Sequence, residues 1–246
     1  MIRIKELTIV ESKKALGSIP DGKILINTLN AHSFNVAQKD AMFAEALRCG
    51  DYLIPDGASI IKACKILRAK SQPKERIAGW DLFSFEMDRL ERKSKNDEGK
   101  RYKVMFMGSS EKVLSKIREQ AAIDYPHLDI VTYSPPYKKE FSEDDNVAII
   151  KAINTADPDL LWIGMTAPKQ EKWTYSHWKE LNIHCHVGTI GAVFDFYAGT
   201  MRRAPKWWQE HSLEWLYRLI KEPKRMWRRY VLGNPLFLWN VAKERV

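Results

Sequence analysis

This sequence of 246 residues contains few cysteines and no long apolar run. The three cysteines are odd in number and lack CxxC spacing, which argues against a disulfide framework or a zinc ribbon and favours reduced thiols. No run of 18 apolar residues occurs, and the N-terminus shows no apolar signal segment. We therefore expect a cytoplasmic protein, and attachment to a membrane surface stays open.

Metal-binding patterns are also missing. The histidines form no HExxH arrangement. His184 and His186 alternate on a predicted strand and could act as a pair of ligands, but no carboxylate partner is evident in the sequence. The segment Asp157-Pro158-Asp159 precedes its strand and does not follow it, so it is not a metal-binding turn. The sequence predicts no metal site and no cofactor.

Positive charge is concentrated near the end of the sequence. Residues 202–246 contain eleven Lys/Arg and four Asp/Glu, a net charge of about +7 out of +9, together with five of the nine tryptophans. The first 201 residues are therefore close to neutral. This contrast predicts a body, residues 1–200, and a basic, tryptophan-rich helical appendage, residues 201–246.

Strands and helices alternate along the body. Predicted strands cover residues 24–28, 52–55, 104–108, 128–133, 159–164 and 184–187, and predicted helices cover 35–49, 58–69, 80–92, 111–125, 144–155 and 171–181. Residues 93–103 are charged and predict a loop. Strands separated by helices pair in parallel, so we expect an α/β fold of the Rossmann-like, doubly wound type.

Polar residues follow several of these strands. Ligands bind at the carboxyl ends of strands in open α/β sheets, and the amides of a following helix favour anions. After the strand that ends at Gly164, this reasoning places Lys169 and Gln170 in a crevice suited to a phosphorylated ligand. Gly108 and Ser109 follow another strand in a small-residue turn that suits a diphosphate or a ribose.

The first two strands end in further candidates. Thr28, Asn30 and His32 follow the first strand, and Asp56 follows the second. Asp56 suits either of two roles, the N-cap of the next helix or a general base that takes a proton from an attacking hydroxyl. His32 is either a second base or a hydrogen-bonded structural residue.

The basic appendage allows three interpretations. Residues 211–222 place apolar side chains on one helical face and basic ones beside it, Pro223 interrupts that helix, and Gly233-Asn234-Pro235 predicts the end of the next. The segment is a docked helix with a solvated face, a membrane-surface helix, or a nucleic-acid patch. Tryptophan-rich basic helices fit a membrane interface better, and no nucleic-acid motif is present.

In their order, these clusters resemble the WecG/TagA/CpsF glycosyltransferases, glycosyltransferase family 26. The similarity extends over about residues 5–235. It is carried by Thr28-Leu29-Asn30-Ala31, Pro55-Asp56-Gly57, Arg76-Ile77-Ala78-Gly79-Trp80-Asp81-Leu82, Gly164-Met165-Thr166-Ala167-Pro168-Lys169-Gln170-Glu171, Gly188-Thr189-Ile190-Gly191-Ala192-Val193-Phe194-Asp195-Phe196, Arg203-Ala204-Pro205 and Glu214-Trp215-Leu216-Tyr217-Arg218-Leu219.

The resemblance implies a metal-independent, inverting transfer from a UDP-sugar to a polyprenyl-diphosphate-linked saccharide at the cytoplasmic face of a bacterial membrane. The sugar would be N-acetylmannosamine, N-acetylmannosaminuronic acid or glucose, used for cell-surface polysaccharides such as teichoic acid or exopolysaccharide. The implied fold is a Rossmann-like domain of the GT-E type whose C-terminal appendage closes the site. No nucleic acid is expected as a partner, and a homo-oligomer stays open.

The implied roles can be assigned to residues of this sequence. Asp56 acts as the base, with Thr28 and Asn30 positioning acceptor or donor. The remaining substrate-binding candidates are Arg76, Gly108, Ser109, Lys169, Gln170, Glu171, Arg203, Arg218, Arg225 and Arg228, of which the appendage arginines replace a metal at the diphosphate. The alternative hypothesis is a non-catalytic nucleotide-binding module whose basic segment docks on nucleic acid or an acidic partner.

Overall fold

A parallel sheet forms the centre of the fold. The computed structural model describes residues 1–97, 99–211 and 213–245, without the side chains of Glu210 and Arg225, and in these ranges six strands form one sheet. The strands are β1 Ile24–Leu29, β2 Tyr52–Pro55, β3 Lys103–Gly108, β4 Asp129–Tyr133, β5 Leu160–Gly164 and β6 His186–Thr189. Their order is β2-β1-β6-β5-β3-β4, and every pair is parallel.

Helices connect the strands and follow the sheet. They are α1 Lys13–Leu16, α2 Ala31–Ala37, α3 Ala41–Arg48, α4 Ala58–Leu67, α5 Gly79–Asn96, α6 Glu111–Asp124, α7 Glu143–Ala156, α8 Lys169–His177, α9 Val193–Tyr197, α10 Lys206–Glu210, α11 Glu214–Lys221, α12 Pro223–Trp227 and α13 Gly233–Arg245. Short 3₁₀ turns occur at Ile4–Glu6 and Trp178–Glu180, and a π-helical segment, Arg228–Leu232, joins α12 to α13.

Both faces of the sheet are covered. Phe106 and Trp162 point to the face that packs against α1, α5, α6 and α9, whereas Met105 and Leu161 point to the face that packs against α7 and α8. A strand buried on both faces must be apolar at successive positions, and the strands β3 and β5 have this pattern. The predicted doubly wound α/β fold is confirmed.

The end of the chain packs against its beginning. A third apolar cluster combines Phe237 and Val241 of α13 with residues of α2, α3, α4 and the first 3₁₀ turn. The ring of Phe237 meets the ring of Phe34 edge-on, with centroids 5.6 Å apart. The Glu244 carboxylate accepts hydrogen bonds from the amides of Ile4, at 3.0 Å, and Lys5, at 2.6 Å. The division into a body and an appendage at residue 200 stays a prediction, and α13 lies on the body.

Several predicted helices have different bounds in the structure, and contacts explain two of the differences. The helix predicted over residues 35–49 is two helices, α2 and α3, because Asp40 takes an extended conformation and its carboxylate caps α3 by accepting from the Phe43 amide at 2.9 Å. Helix α5 continues to residue 96, into the predicted loop. The hydroxyl of Ser94 holds this extra turn by donating to the carbonyls of Lys100 and His127.

The prediction that Gly233-Asn234-Pro235 ends a helix is wrong. Gly233 has right-handed helical dihedral angles, φ −70° and ψ −37°, and begins α13. The π-helical segment Arg228–Leu232 leads directly into α13, so the helix passes through Pro235 instead of ending there. The Asn35 side chain donates to the Gly233 carbonyl at 2.7 Å, so the body fixes this junction.

Across residues 1–97, 99–211 and 213–245, no helix is both long enough and apolar enough to cross a membrane.

Replacing Phe237 by alanine tests whether α13 is part of the stable core. Phe237 is buried, and truncation of a buried phenylalanine lowers the free energy of unfolding by about 3–5 kcal/mol. Trp239→Ala on the same helix is the matched control, because its side chain is exposed. Urea unfolding should show the loss for Phe237→Ala alone, and equal effects of the two substitutions would contradict the docking of α13.

Candidate active site

Asp56 lies where the ends of β1 and β2 meet. Its backbone amide donates to the carbonyl of Leu29, the last residue of β1, at 2.9 Å. All strands are parallel, so the segments that follow them collect at this edge of the sheet. The sequence prediction that Asn30 and Asp56 share one crevice agrees with this geometry.

The Asp56 side chain does not cap a helix. Helix α4 begins after Gly57, and its N-terminus has no side-chain cap among the described residues. The Asp56 carboxylate faces the Arg76 guanidinium, with Oδ1 and Nη2 3.5 Å apart. The N-cap interpretation is therefore wrong. Burial raises the pKa of Asp56, and the positive charges of Arg76 and Arg218 oppose that rise.

Thr28 and Asn30 border this position. Thr28 is half-buried near the carboxyl end of β1 and is in register with Ile54 of β2. The Asn30 Oδ1 caps α2 by accepting from the amides of His32 and Ser33, each at 3.0 Å. This cap uses the amide oxygen, and the Nδ2 donor takes no part in it.

An ion-pair chain joins Asp56 to the C-terminal segment. Arg76 contacts the Glu214 carboxylate at the start of α11 as well as that of Asp56. The other oxygen of Glu214 lies 3.4 Å from the Arg203 Nε. The Arg203 guanidinium also stacks 5.3 Å from the centroid of the Trp80 ring. Arg76 and Arg203 are both predicted substrate-binding residues and lie far apart in the sequence. In the structure they meet at the Glu214 carboxylate.

The remaining arginines of the C-terminal segment differ in position. Arg218 lies over the Phe196 ring at 5.0 Å, and its charge acts on Asp56. Arg228 is exposed and lies over the ring of its neighbour Trp227 at 5.6 Å. The side chain of Arg225 lies outside the described part of the structure.

Arg229, which the sequence reasoning missed, also faces the site. Its charge lowers the pKa of Asp56, and its Nε is buried without a hydrogen-bond partner among the described residues. Burial, together with the charge of Arg229, lowers the pKa of His32 to about 4, which leaves His32 neutral at pH 7. Arg228 and Arg229 are adjacent in the sequence. They point in different directions because they occupy successive positions of the π-helical segment.

Gly108 and Ser109 form a tight turn after β3. Both have positive φ, and a Cβ on Gly108 would lie 2.4 Å from the Gly164 carbonyl oxygen of the neighbouring strand. The carbonyl of Ser109 accepts from the Ser134 hydroxyl at 2.9 Å. Close packing of strand ends thus explains this glycine without a ligand, and the diphosphate or ribose contact stays a prediction.

Lys169 and Gln170 are engaged within the protein. The Lys169 ammonium donates to the Lys138 carbonyl and lies 3.4 Å from the centroid of the Phe141 ring. Gln170 is buried; its Oε1 accepts from the Met165 amide at 3.2 Å and its Nε2 donates to Glu171 at 2.9 Å. Both residues shape the loop after β5, and their binding of substrate stays a prediction.

Glu171 is a buried acid beside this loop. Its side chain is 1% exposed, and Oε2 has no hydrogen-bond partner among the described residues. Burial raises the pKa of Glu171 to about 7. The hydrogen bond from Gln170 favours the charged form and opposes this rise. Glu171 thus keeps its proton at pH values well above those at which a carboxyl group usually releases it.

His184 and His186 do not form a ligand pair. The His186 Nδ1 lies 3.0 Å from an oxygen of buried Glu86, and its Nε2 lies 2.9 Å from the Pro20 carbonyl. Glu86 is the carboxylate partner that the sequence did not reveal, because it lies one hundred positions away. Within the described ranges, no group of three His, Cys, Asp or Glu residues is placed to hold a metal.

Comparison with known proteins shows a match over nearly the whole chain. Residues 2–246 match the model of the glycosyl transferase WecG/TagA/CpsF family. An N-acetylglucosaminyldiphosphoundecaprenol N-acetyl-beta-D-mannosaminyltransferase of Bacillus subtilis (strain 168) is 28% identical over 220 residues, 89% of this chain and 79% of the relative. Proteins of the same name from Bacillus spizizenii and Staphylococcus aureus (strain MW2) are 30% and 25% identical, covering 85% and 90% of this chain and 74% and 81% of the relatives.

Stability should depend on pH through Glu171. The folded state keeps this proton up to about pH 7, whereas the unfolded chain releases it near pH 4.5, so the free energy of unfolding falls as pH rises between these values. The loss is about 3 kcal/mol at most. In Glu171→Gln, urea unfolding should show a flatter dependence over this range. Glu119→Gln, an exposed change on α6, should leave the wild-type slope, and an equal slope in all three proteins would contradict the buried acid.

Proposed function

The chain belongs to the WecG/TagA/CpsF family of glycosyltransferases, and we propose that it transfers N-acetylmannosamine from its UDP-sugar to a polyprenyl-diphosphate-linked saccharide. The activity that the names of the relatives state supports both the sugar and the lipid-linked acceptor. These relatives are transferases, so the alternative of a non-catalytic nucleotide-binding module is not retained.

One observation carries the proposed chemistry: the Asp56 carboxylate contacts Arg76 and lies within the influence of the charges of Arg218 and Arg229. Burial raises the proton affinity of Asp56, and a base of higher pKa removes a proton from a hydroxyl more effectively. We assign Asp56 as the base for the acceptor hydroxyl. That oxygen then bonds to the anomeric carbon as the bond to the UDP oxygen breaks on the opposite side, which inverts the configuration.

The arginines supply the positive charge that the departing diphosphate requires. Arg76, Arg203, Arg218 and Arg229 surround Asp56 and Glu214 from three segments of the chain. Guanidinium groups bind phosphate oxygens through charge-assisted hydrogen bonds and stabilise charge as it develops in the transition state. The proposed reaction therefore proceeds without a metal, with Thr28 and the Asn30 Nδ2 positioning one of the sugars.

The C-terminal segment also offers a surface for a lipid-linked acceptor. Trp207, Trp227, Leu238 and Trp239 are exposed, and basic side chains accompany them. Tryptophan and leucine enter a membrane interface while lysine and arginine meet anionic lipid. We propose peripheral attachment at the inner face of the cell membrane, where a polyprenyl diphosphate presents its saccharide.

Turnover should depend on Asp56. With UDP-N-acetylmannosamine, a short-chain polyprenyl-diphosphate N-acetylglucosamine and EDTA in the buffer, Asp56→Asn should lower kcat by about 100-fold or more, because general-base catalysis is lost. Asp144→Asn, an exposed change on α7, is the charge-matched control. Near-wild-type turnover in Asp56→Asn would remove the base role.

The same assay tests the need for a metal and the choice of donor. If the wild type is inactive in EDTA and Mg²⁺ or Mn²⁺ restores its turnover, the metal-free reaction is refuted. A panel of other UDP-sugars tests the donor.

Vesicle binding should depend on the exposed tryptophans. Trp227→Ala and Trp239→Ala should each weaken binding to vesicles rich in phosphatidylglycerol by about tenfold, the contribution of about 60 Å² of apolar surface. Tyr137→Ala removes an exposed aromatic ring outside this segment and serves as the control. Sedimentation with vesicles measures the effect. Unchanged binding in both tryptophan variants would show that this surface does not contact lipid.

A further inference from the structure

Glu214 occupies an unusual place between the body and the C-terminal segment. It is the first residue of α11, and its side chain is only 12% exposed. Arg76 approaches it from the segment before α5, and Arg203 approaches from the segment before α10. Two guanidinium groups from separate segments of the chain thus meet at this largely covered carboxylate.

Arg76 is shared between two carboxylates. It contacts Glu214 more closely than Asp56, whose Oδ1 lies 3.5 Å from the same Nη2 atom. A guanidinium can satisfy one carboxylate with two parallel hydrogen bonds, and sharing divides this capacity. Asp56 therefore shares Arg76 with a second carboxylate that makes the closer contact.

The groups around Asp56 show what this sharing does. Arg76, Arg218 and Arg229 lower the pKa of Asp56, whereas burial and the negative charge of Glu214 raise it. Without Glu214, Arg76 would be free to pair fully with Asp56. The carboxylate would then hold a proton less readily and would be a weaker base.

We infer that Glu214 is a positioning residue, which holds Arg76 away from Asp56 and so preserves Asp56 as a base for the acceptor hydroxyl. This inference rests on the proposed transferase function. The same contacts tie α11 to the body over the cleft. A role limited to this tie would leave the proton affinity of Asp56 unchanged, so titration of Asp56 separates the two roles.

The direct test is a carboxyl ¹³C NMR titration of protein labelled at aspartate, with Asp56→Asn to identify the Asp56 signal. In Glu214→Gln, the midpoint of the Asp56 titration should fall by roughly half a pH unit or more, since one nearby negative charge is lost and Arg76 is released. Glu119→Gln should leave the midpoint unchanged, because it removes a distant exposed charge. An unchanged or raised midpoint in Glu214→Gln overturns the inference.

A charge-retaining variant checks the cause. Glu214→Asp keeps the negative charge, so its midpoint should stay nearer the wild-type value than that of Glu214→Gln. An equal fall in both variants would assign the effect to lost packing and overturn the inference. If Glu214→Gln does not fold, Arg203→Gln replaces it. In Arg203→Gln, Glu214 pairs with Arg76 alone, so the midpoint of the Asp56 titration must rise.

Kinetics add a readout that depends on the reaction. The acid limb of the pH profile of kcat/KM should move to lower pH in Glu214→Gln, and the plateau rate should fall, because the base is weaker. A lower plateau with an unmoved acid limb overturns the inference. Absence of turnover in the wild type with every UDP-sugar would instead refute the proposed function, and the NMR result would stand independently.

Discussion

Parallel pairing of the six described strands is the constraint on which the arrangement of the site depends. A parallel strand can follow another only through a crossover to the opposite edge, so all these strands end at the same edge of the sheet. The segments after β1 and β2 therefore meet, and the amide of Asp56 bonds to the end of β1. Gly108 allows the ends of β3 and β5 to come close as well, since a Cβ on Gly108 would collide with the Gly164 backbone. The backbone thus fixes the floor of the cleft before any functional side chain is added.

The fold could be predicted from the sequence because buried parallel strands carry a strong local signal. The residues of β2 match the predicted range, and β3 differs by one residue. Helix ends were harder to predict, since they depend on distant contacts: Ser94 extends α5 by bonding to His127, and Asn35 holds the start of α13.

The site was predictable only in part. Asp56 was identified from its place after a strand, and the sequence could not decide between capping and catalysis. The position of Arg76 opposite it excludes the cap. The contrast between Arg228 and Arg229, and the pairing of Glu86 with His186, arise from tertiary packing. Neither composition nor spacing contains that information, because the partners are brought together by segments remote in the chain.

The contact between Glu244 and the amides of Ile4 and Lys5 has a consequence for the order of biosynthesis. These partners are 240 and 239 positions apart, so the ribosome must add nearly all of the described chain before α13 can cover the cluster around Phe34. Until then, the apolar side chains of α2 and α4 that α13 shields remain open to water or to a chaperone. This flank of the fold can therefore be closed only after the segments of all six described strands have been synthesised.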